Sequence, residues 1–114
     1  MRELNIINQI GLELPSLGIL TQVVELSQYD FIYVKNKIKK GSNLLLHEDG
    51  SRSWDKASLS VYYKGYKLGY LNQNINKIIK QHKNQNKIID VTIQSIYNKK
   101  YLIMSGLEIL IKIY

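Results

Sequence analysis

Residues 44–71 read LLLHEDGSRSWDKASLSVYYKGYKLGYL, and this stretch decides the fold. Its second half holds two runs, residues 57–63 and 66–71, in which polar and apolar side chains alternate. A period of two is typical of a β-strand with one buried and one solvated face. Because only Lys64-Gly65 separates the two runs, the stretch predicts a β-hairpin.

The order of features in this stretch resembles the HIRAN domain family. That family shows a strand, an acidic turn, an aromatic-Asp pair, a small-aliphatic strand, a glycine turn and an aliphatic-Gly-aromatic strand before a helix. The corresponding residues here are Leu46-His47-Glu48-Asp49, Trp54-Asp55, Leu59-Ser60-Val61 and Gly65-Tyr66-Lys67-Leu68-Gly69-Tyr70-Leu71. Gly50-Ser51-Arg52-Ser53 stands where the family turn carries Pro and Asn. The resemblance covers about residues 24–113.

The resemblance implies a mainly β domain, a small and partly open antiparallel β-barrel of HIRAN or OB type with a helix packed on it. It also implies recognition of single-stranded DNA, especially of a free 3′ end. In the family, the strand before the glycine turn carries an aromatic pair, often after an Arg, that contacts the nucleic-acid end. Tyr33-Val34 falls at that place, with Ile32 in the position of the Arg, and Tyr70 falls on another ligand position.

The rest of the chain predicts further strands and one helix. Ile75, Ile78, Ile79 and His82 are spaced to share one helical face, and Asn72 or Asn74 can cap the start of that helix. The predicted strands cover residues 18–25, 29–35, 88–97, 101–104 and 107–113, with Asn98-Lys99-Lys100 as a tight turn. We therefore expect six to eight short strands with one helix, residues 24–114 forming the HIRAN-like domain and residues 1–23 an N-terminal extension.

Composition excludes several classes of protein. The chain has 114 residues, which fits one domain, and it has no cysteine and two histidines, which leaves no thiolate or His-rich metal site. We expect no metal and no cofactor. Apolar runs stay below the roughly 18 residues that span a bilayer, and residues 1–15 lack the pattern of a signal peptide. The sequence thus predicts a cytoplasmic protein without membrane contact.

The net charge of +7 is unevenly distributed. Residues 1–30 hold one basic and four acidic residues, a net charge of −3, whereas residues 31–114 hold fifteen basic and five acidic residues, a net charge of +10. A basic domain indicates a polyanionic partner, most often a nucleic acid. The alternative is compositional, because an AT-rich genome also produces chains rich in Ile, Asn and Lys.

Lysines and aromatic residues form the predicted binding surface. The run Lys35 to Lys40 holds four lysines, which either form a solvated turn or clamp phosphates. Exposed tyrosines either pack across strands or stack on bases, and Trp54 either anchors its turn or joins the site. The predicted nucleic-acid-binding residues are Tyr33, Lys35, Lys37, Lys39, Lys40, Arg52, Trp54, Asp55, Lys56, Lys67 and Tyr70.

The N-terminal segment is acidic and apolar. Its apolar side chains either pack on their own domain or form a dimer or partner contact. The predicted partner-binding residues are Leu4, Ile7, Ile10, Leu12 and Leu14.

No arrangement of a nucleophile with a base, and no phosphate-binding loop, occurs in the sequence. Glu48, Asp49 and Asp55 form one acidic cluster, which suits a turn with salt bridges better than a divalent ion. We therefore expect a non-catalytic DNA-binding module that recruits or positions a DNA-processing enzyme. The alternative is an accessory subunit, as a homodimer or alone, that binds and stimulates a larger nucleic-acid enzyme such as a repair enzyme or a CRISPR effector nuclease.

Overall fold

The computed structural model describes residues 14–49, 58–99 and 104–114. The strands are β1 (Leu17–Gln22), β2 (Asn43–Glu48), β3 (Leu59–Tyr63), β4 (Tyr66–Tyr70), β5 (Ile89–Lys99) and β6 (Met104–Ile113). The helices are a 3-10 turn (Leu26–Gln28), the short α1 (Phe31–Val34) and α2 (Gln73–Asn84). Within these ranges, neither α-helix has the length and apolar character needed to cross a bilayer.

The six described strands form one antiparallel sheet in the order β1-β6-β5-β2-β3-β4. The predicted hairpin is confirmed as β3 and β4, joined by Lys64 and Gly65 with φ angles of 45° and 86°. Two successive residues with positive φ give the turn whose twist matches that of the flanking strands. The predicted mainly β fold with an open sheet and a packed helix is therefore confirmed.

The core lies on one face of this sheet. Leu107, Ile109, Ile111 and Ile113 alternate along β6 and are completely buried, as the period-two pattern predicts. Ile79 of α2 covers one part of this face. The remaining core residues come from residues 23–38, from β2, from the hairpin with the residue that follows it, and from β5. They are Val23, Leu26, Phe31, Val34, Ile38, Leu44, Leu59, Val61, Tyr63, Leu68, Leu71, Val91 and Ile93.

The segment after β1 forms backbone hydrogen bonds with both β6 and β4, which lie near opposite ends of the strand order. Val23 donates its backbone N–H to Leu107 of β6 at 3.0 Å, and Val24 exchanges backbone hydrogen bonds with Tyr70 of β4 at 2.7 and 3.0 Å. Gly69 allows this close approach, since its φ is +156° and a Cβ there would overlap the backbone oxygen of Val24 and lie 2.7 Å from Val23 Cγ1. Residues 17–22, within the predicted N-terminal extension, form the edge strand that pairs with β6.

The strand predicted over residues 29–35 is wrong. This segment instead contains the four-residue helix α1, and Phe31 and Val34 bury their side chains three positions apart. The start of α1 is fixed by tertiary contacts: Asp30 donates its backbone N–H to Lys67 O at 2.9 Å, and the Asp30 carboxylate accepts the Lys67 N–H at 3.3 Å. These bonds override the strand preference of Ile32 and Val34.

Two smaller expectations for helix α2 and strand β5 also change. Asn72 caps α2 as predicted, because its side chain accepts the Ile75 N–H at 3.0 Å. The buried face, however, includes Asn76, which is fully buried, while Ile78 is 37% exposed. Strand β5 continues to Lys99, so the tight turn predicted at residues 98–100 is wrong in its position.

Candidate nucleic-acid interface

Lys67 lies at the centre of a polar cluster between β2 and β4. Its Nζ donates to Asp49 Oδ2 at 3.0 Å and to Tyr70 Oη at 2.6 Å, and Tyr70 Oη donates to Asp49 Oδ2 at 2.9 Å. The three groups thus form a triangle of charge-assisted hydrogen bonds, which are stronger than neutral ones. The Lys67 and Asp49 side chains are only 19% and 18% exposed, so solvent screens their ion pair weakly.

Tyr29 completes what we call the aromatic–lysine cluster: Tyr29, Asp49, Lys67 and Tyr70. The rings of Tyr29 and Tyr70 meet edge to face with centroids 5.7 Å apart. Lys67 Nζ lies 4.5 Å from the Tyr29 ring centroid and 4.3 Å from that of Tyr70, within the range of cation–π attraction. The lysine is therefore held by two rings as well as by the carboxylate.

The electrostatics of the cluster favour the protonated forms of two side chains. Burial lowers the pKa of Lys67, but hydrogen bonds to Tyr70 and Asp49 outweigh burial and raise that pKa above its ordinary value. The hydrogen bond with Tyr70 raises the pKa of Tyr29, and burial adds to this effect. At neutral pH the cluster therefore carries a firmly charged ammonium beside a neutral Tyr29.

The basic segment, residues 35–40, follows α1 directly. Lys35, Lys37, Lys39 and Lys40 are all exposed, whereas Ile38 is 5% exposed and fixes the segment to the core. None of the four lysines forms an ion pair with a residue that the structure describes. The run is an exposed segment, and its positive charge is not compensated by described neighbours.

Tyr33 projects from α1 next to the basic segment. Its side chain is 69% exposed, and the adjacent Ile32 is 66% exposed. An exposed ring followed by lysines is the combination that stacking on a base and binding of the adjacent phosphates require. The structure thus exposes Tyr33 and the four lysines within one short stretch of the chain, residues 33–40, in which Val34 and Ile38 are buried.

The predicted site residues separate into three groups. Tyr33 and the basic segment are exposed, whereas Lys67 and Tyr70 lie in the aromatic–lysine cluster, where Tyr70 is only 2% exposed. Asp30 connects these first two groups, because its hydrogen bonds fix the start of α1 to Lys67. The predicted residues that lie outside the described residues are Arg52, Trp54, Asp55 and Lys56 from the turn, and Leu4, Ile7, Ile10 and Leu12 from the N-terminal segment.

Sequence reasoning missed Tyr29 and the site role of Asp49. Asp49 stood in the acidic turn of the motif, and its place directly after a strand was the signal that could have assigned it to the site. Nothing in the local pattern distinguished Tyr29 from the other tyrosines, because its partner Tyr70 is 41 positions away.

The acidic residues do not form a metal site in the described part of the chain. Glu48 turns toward helix α2, where its Oε1 lies 3.7 Å from Lys80 Nζ and 3.9 Å from Lys83 Nζ. Asp49, one position later, faces Lys67 instead. No group of three or more metal-ligating side chains occurs among residues 14–49, 58–99 and 104–114.

Comparison with known proteins identifies the fold. No protein-family model matches the sequence, and no curated protein matches it significantly. The HIRAN domain of human HLTF superposes with a TM-score of 0.62 at 14% identity, covering 84% of this chain and 74% of that chain. A protein from Lactobacillus plantarum superposes with a TM-score of 0.65 at 18% identity, covering 85% of this chain and 96% of that one. The open antiparallel sheet, the hairpin of β3 and β4 and the helix that follows it therefore constitute a HIRAN-like fold.

Proposed function

We propose that this chain is a non-catalytic, cytoplasmic DNA-binding module that holds single-stranded DNA at a free 3′ end and positions a DNA-processing enzyme there. The observation that supports it is the surface segment of residues 33–40, where the exposed Tyr33 precedes four lysines without ion pairs to described residues. The HIRAN-like fold, shared with a domain of human HLTF, supports the same class of function.

The exposed residues of this segment make two different kinds of contact with DNA. The lysines of the basic segment neutralise phosphates and release their counterions, which supplies affinity without reading sequence. Tyr33 stacks on a base, a contact worth roughly 1–3 kcal/mol. Both depend on how α1 is held, and Asp30 fixes α1 to Lys67 of β4.

The aromatic–lysine cluster supplies the end-recognising part of the proposal. Asp49 is a carboxylate acceptor and Lys67 a cation, so together they suit a terminal hydroxyl beside a phosphate. Tyr70 is buried and its hydroxyl bonds both Lys67 and Asp49, so it positions these two groups and does not stack on a base. Arg52, Trp54, Asp55 and Lys56, which follow Asp49 in the chain, remain in the proposed site.

The test is fluorescence anisotropy with labelled single-stranded DNA that carries a 3′ hydroxyl, the same strand with a 3′ phosphate, and the matched duplex, across a salt series. We expect the free 3′ hydroxyl strand to bind most tightly, and the difference between the two single strands to persist as salt rises. Equal binding of all three that collapses with salt would reduce the function to a general affinity for polyanions and would reject end recognition.

A second candidate function is an accessory subunit that binds and stimulates a larger nucleic-acid enzyme, such as a repair enzyme or a CRISPR effector nuclease, alone or as a homodimer. It is favoured by the edge strand β1, which contains no charged residue and exposes Leu17 and Leu20 by 38% and 59%. Leu14, directly before it, is 70% exposed. Uncharged apolar edges pair readily with other chains.

The molar mass in solution tests the self-association part of this candidate. If β1 forms a homodimer, multi-angle light scattering gives twice the chain mass, and Leu20→Lys returns it to the mass of one chain. If the wild type has the mass of one chain at all concentrations, the homodimer is rejected, and the partner of this edge would have to be a different protein.

A further inference from the structure

Strands β2 and β5 separate after two residue pairs. Their ladder comprises Asn43 with Thr92 and Leu44 with Val91, whereas β2 continues to pair with β3 as far as Glu48. Asp49 donates its backbone N–H to Ser58, beside β3. Because backbone groups alternate between the two edges of a strand, Leu46 and Glu48 direct their N–H and C=O groups away from β3, toward the opening. We call this opening the β2–β5 gap.

A cavity of about 270 Å³ lies in the gap, on the side covered by helix α2. Its lining is almost entirely aliphatic, with Lys83 and Lys87 as the charged members. This volume lies just below the roughly 300–1,000 Å³ of pockets that hold small molecules, and it suits a single large apolar side chain. The lining residues are Leu44, Leu45, Leu46, Leu59, Ile79, Lys83, Lys87, Ile89 and Val91.

Exposed apolar side chains also border the cavity. Leu45, one of the lining residues, is 69% exposed, and Ile88, between the lining residues Lys87 and Ile89, is 67% exposed. An extended segment in the gap would therefore meet apolar surface at the rim as well as inside the cavity.

The charges around the cavity select an acidic occupant. Glu48 lies near Lys80 and Lys83 at 3.7 and 3.9 Å and compensates them in part. Lys87 is exposed and makes no ion pair within the described ranges. The surplus of positive charge at the rim matches a partner with carboxylates on either side of its apolar anchor.

From these features we propose that the β2–β5 gap binds an extended acidic segment of another protein, which pairs with β2 and inserts one large apolar side chain between α2 and the sheet. Main-chain hydrogen bonds to an open strand edge give such a complex its affinity, and the pocket for the anchor gives it specificity. The gap shares no residue with the aromatic–lysine cluster or with residues 33–40.

The probe is the peptide acetyl-Glu-Val-Phe-Val-Glu-amide, titrated into the full ¹⁵N-labelled chain while amide chemical shifts are recorded. We expect saturable shifts at Leu46, Glu48, Ile89 and Val91. Replacing the Phe of the peptide by Ala should weaken binding about tenfold or more, because the anchor side chain is lost. Methylation of the peptide nitrogens that face β2 should abolish the shifts, because the strand hydrogen bonds are lost.

Two protein variants provide matched controls. Lys87→Glu should weaken binding about fivefold, whereas Lys77→Glu, an equal charge change at an exposed position of α2, should change it less than twofold. Leu46→Trp should block the cavity. If that variant fails to fold, the comparison of Lys87→Glu with Lys77→Glu still tests the proposal.

Three results would overturn the proposal. The first is the absence of saturable shifts at the four amides. The second is binding of decanoate at this place without binding of the peptide, which would make the cavity a site for a small amphiphilic acid. The third is a set of shifts at the same amides that grow with protein concentration alone, which would mean that a second copy of this chain fills the gap.

Discussion

Lys67 and Asp49 form an ion pair that spans strand β3. Asp49 directly follows β2 and Lys67 belongs to β4, and these two strands lie on opposite sides of β3 in the sheet. Their charged atoms are 3.0 Å apart and both side chains are more than four-fifths buried. The pair therefore ties together two strands that share no backbone hydrogen bonds with each other.

Removal of this ion pair should destabilise the fold. Lys67→Met leaves the Asp49 carboxylate without its ammonium partner, so the free energy of unfolding should fall by roughly 1.5–3 kcal/mol in urea denaturation. Lys77→Met, on the exposed face of α2, should change it by less than about 0.5 kcal/mol. In a double-mutant cycle, Asp49→Asn should cost much less in the Lys67→Met background than in the wild type; equal costs would mean that the two side chains are not coupled.

The loss of folding stability at alkaline pH should depend on Lys67. The folded state raises the pKa values of Lys67 and Tyr29 above their ordinary values of 10.5 and 10.0. Above these values the unfolded state binds fewer protons than the folded state, so stability is fully present below them and falls as pH rises. Urea unfolding from about pH 10 to about pH 12 should show a steeper loss for the wild type than for Lys67→Met, and parallel curves would contradict this assignment.

Tyr33 should contribute to DNA affinity and not to stability. Its side chain is 69% exposed, so Tyr33→Ala removes a stacking surface without opening the core. We expect the Kd for single-stranded DNA to rise about fivefold to a hundredfold, the equivalent of roughly 1–3 kcal/mol, with an unchanged melting temperature. Tyr66→Ala, at a tyrosine that is 40% exposed in the hairpin, should leave the Kd within about twofold.

The basic segment should determine the salt dependence of DNA binding. Changing Lys37, Lys39 and Lys40 to Gln should reduce the slope of log K against log salt by about 2, since each phosphate contact on a single strand contributes about 0.7. Lys64, Lys77 and Lys87 are also exposed. The matched change of these three lysines to Gln should leave the slope equal to that of the wild type within experimental error. Equal slopes for the two triple variants would show that the affinity comes from net charge alone.

Gly69 should not tolerate a side chain. Its φ of +156° and the position of Val23 Cγ1, 2.7 Å from where a Cβ would lie, make Gly69→Ala strained and overpacked. We expect a loss of roughly 2–4 kcal/mol in the free energy of unfolding. Gly18→Ala is the control, because its Cβ would meet nothing closer than Leu110 Cδ1 at 4.0 Å, and it should stay within about 0.5 kcal/mol of the wild type.

The elements that could be predicted from the sequence are those encoded by neighbouring residues. Lys64-Gly65 between two alternating runs was sufficient for the hairpin of β3 and β4, and Asn72 was sufficient for the start of α2. The order of these local features along the chain also led to the HIRAN-like fold, which the structural comparison confirms. Each of these signals lies within a few residues of the structure that it predicts.

Features that depend on distant contacts could not be read in this way. Residues 29–35 alternate and are rich in residues that favour strands, yet backbone contacts between Asp30 and Lys67 start a helix there. The aromatic–lysine cluster brings Tyr29 and Asp49 to Lys67 and Tyr70 from three separate parts of the chain. The pattern of apolar and polar residues along the chain carries no information about such long-range contacts. The predicted site therefore included only Lys67 and Tyr70 of the four residues.

The pairing of β1 with β6 has a consequence for the making of the protein. Ser16 and Ile113, which are joined by two hydrogen bonds, are 97 positions apart in the chain. Strand β1 therefore leaves the ribosome long before β6 exists, and its uncharged leucines and isoleucine stay uncovered until synthesis reaches the partner strand. Contacts so distant in sequence slow folding, so the pairing of the two ends of the chain should lower the folding rate of the whole domain.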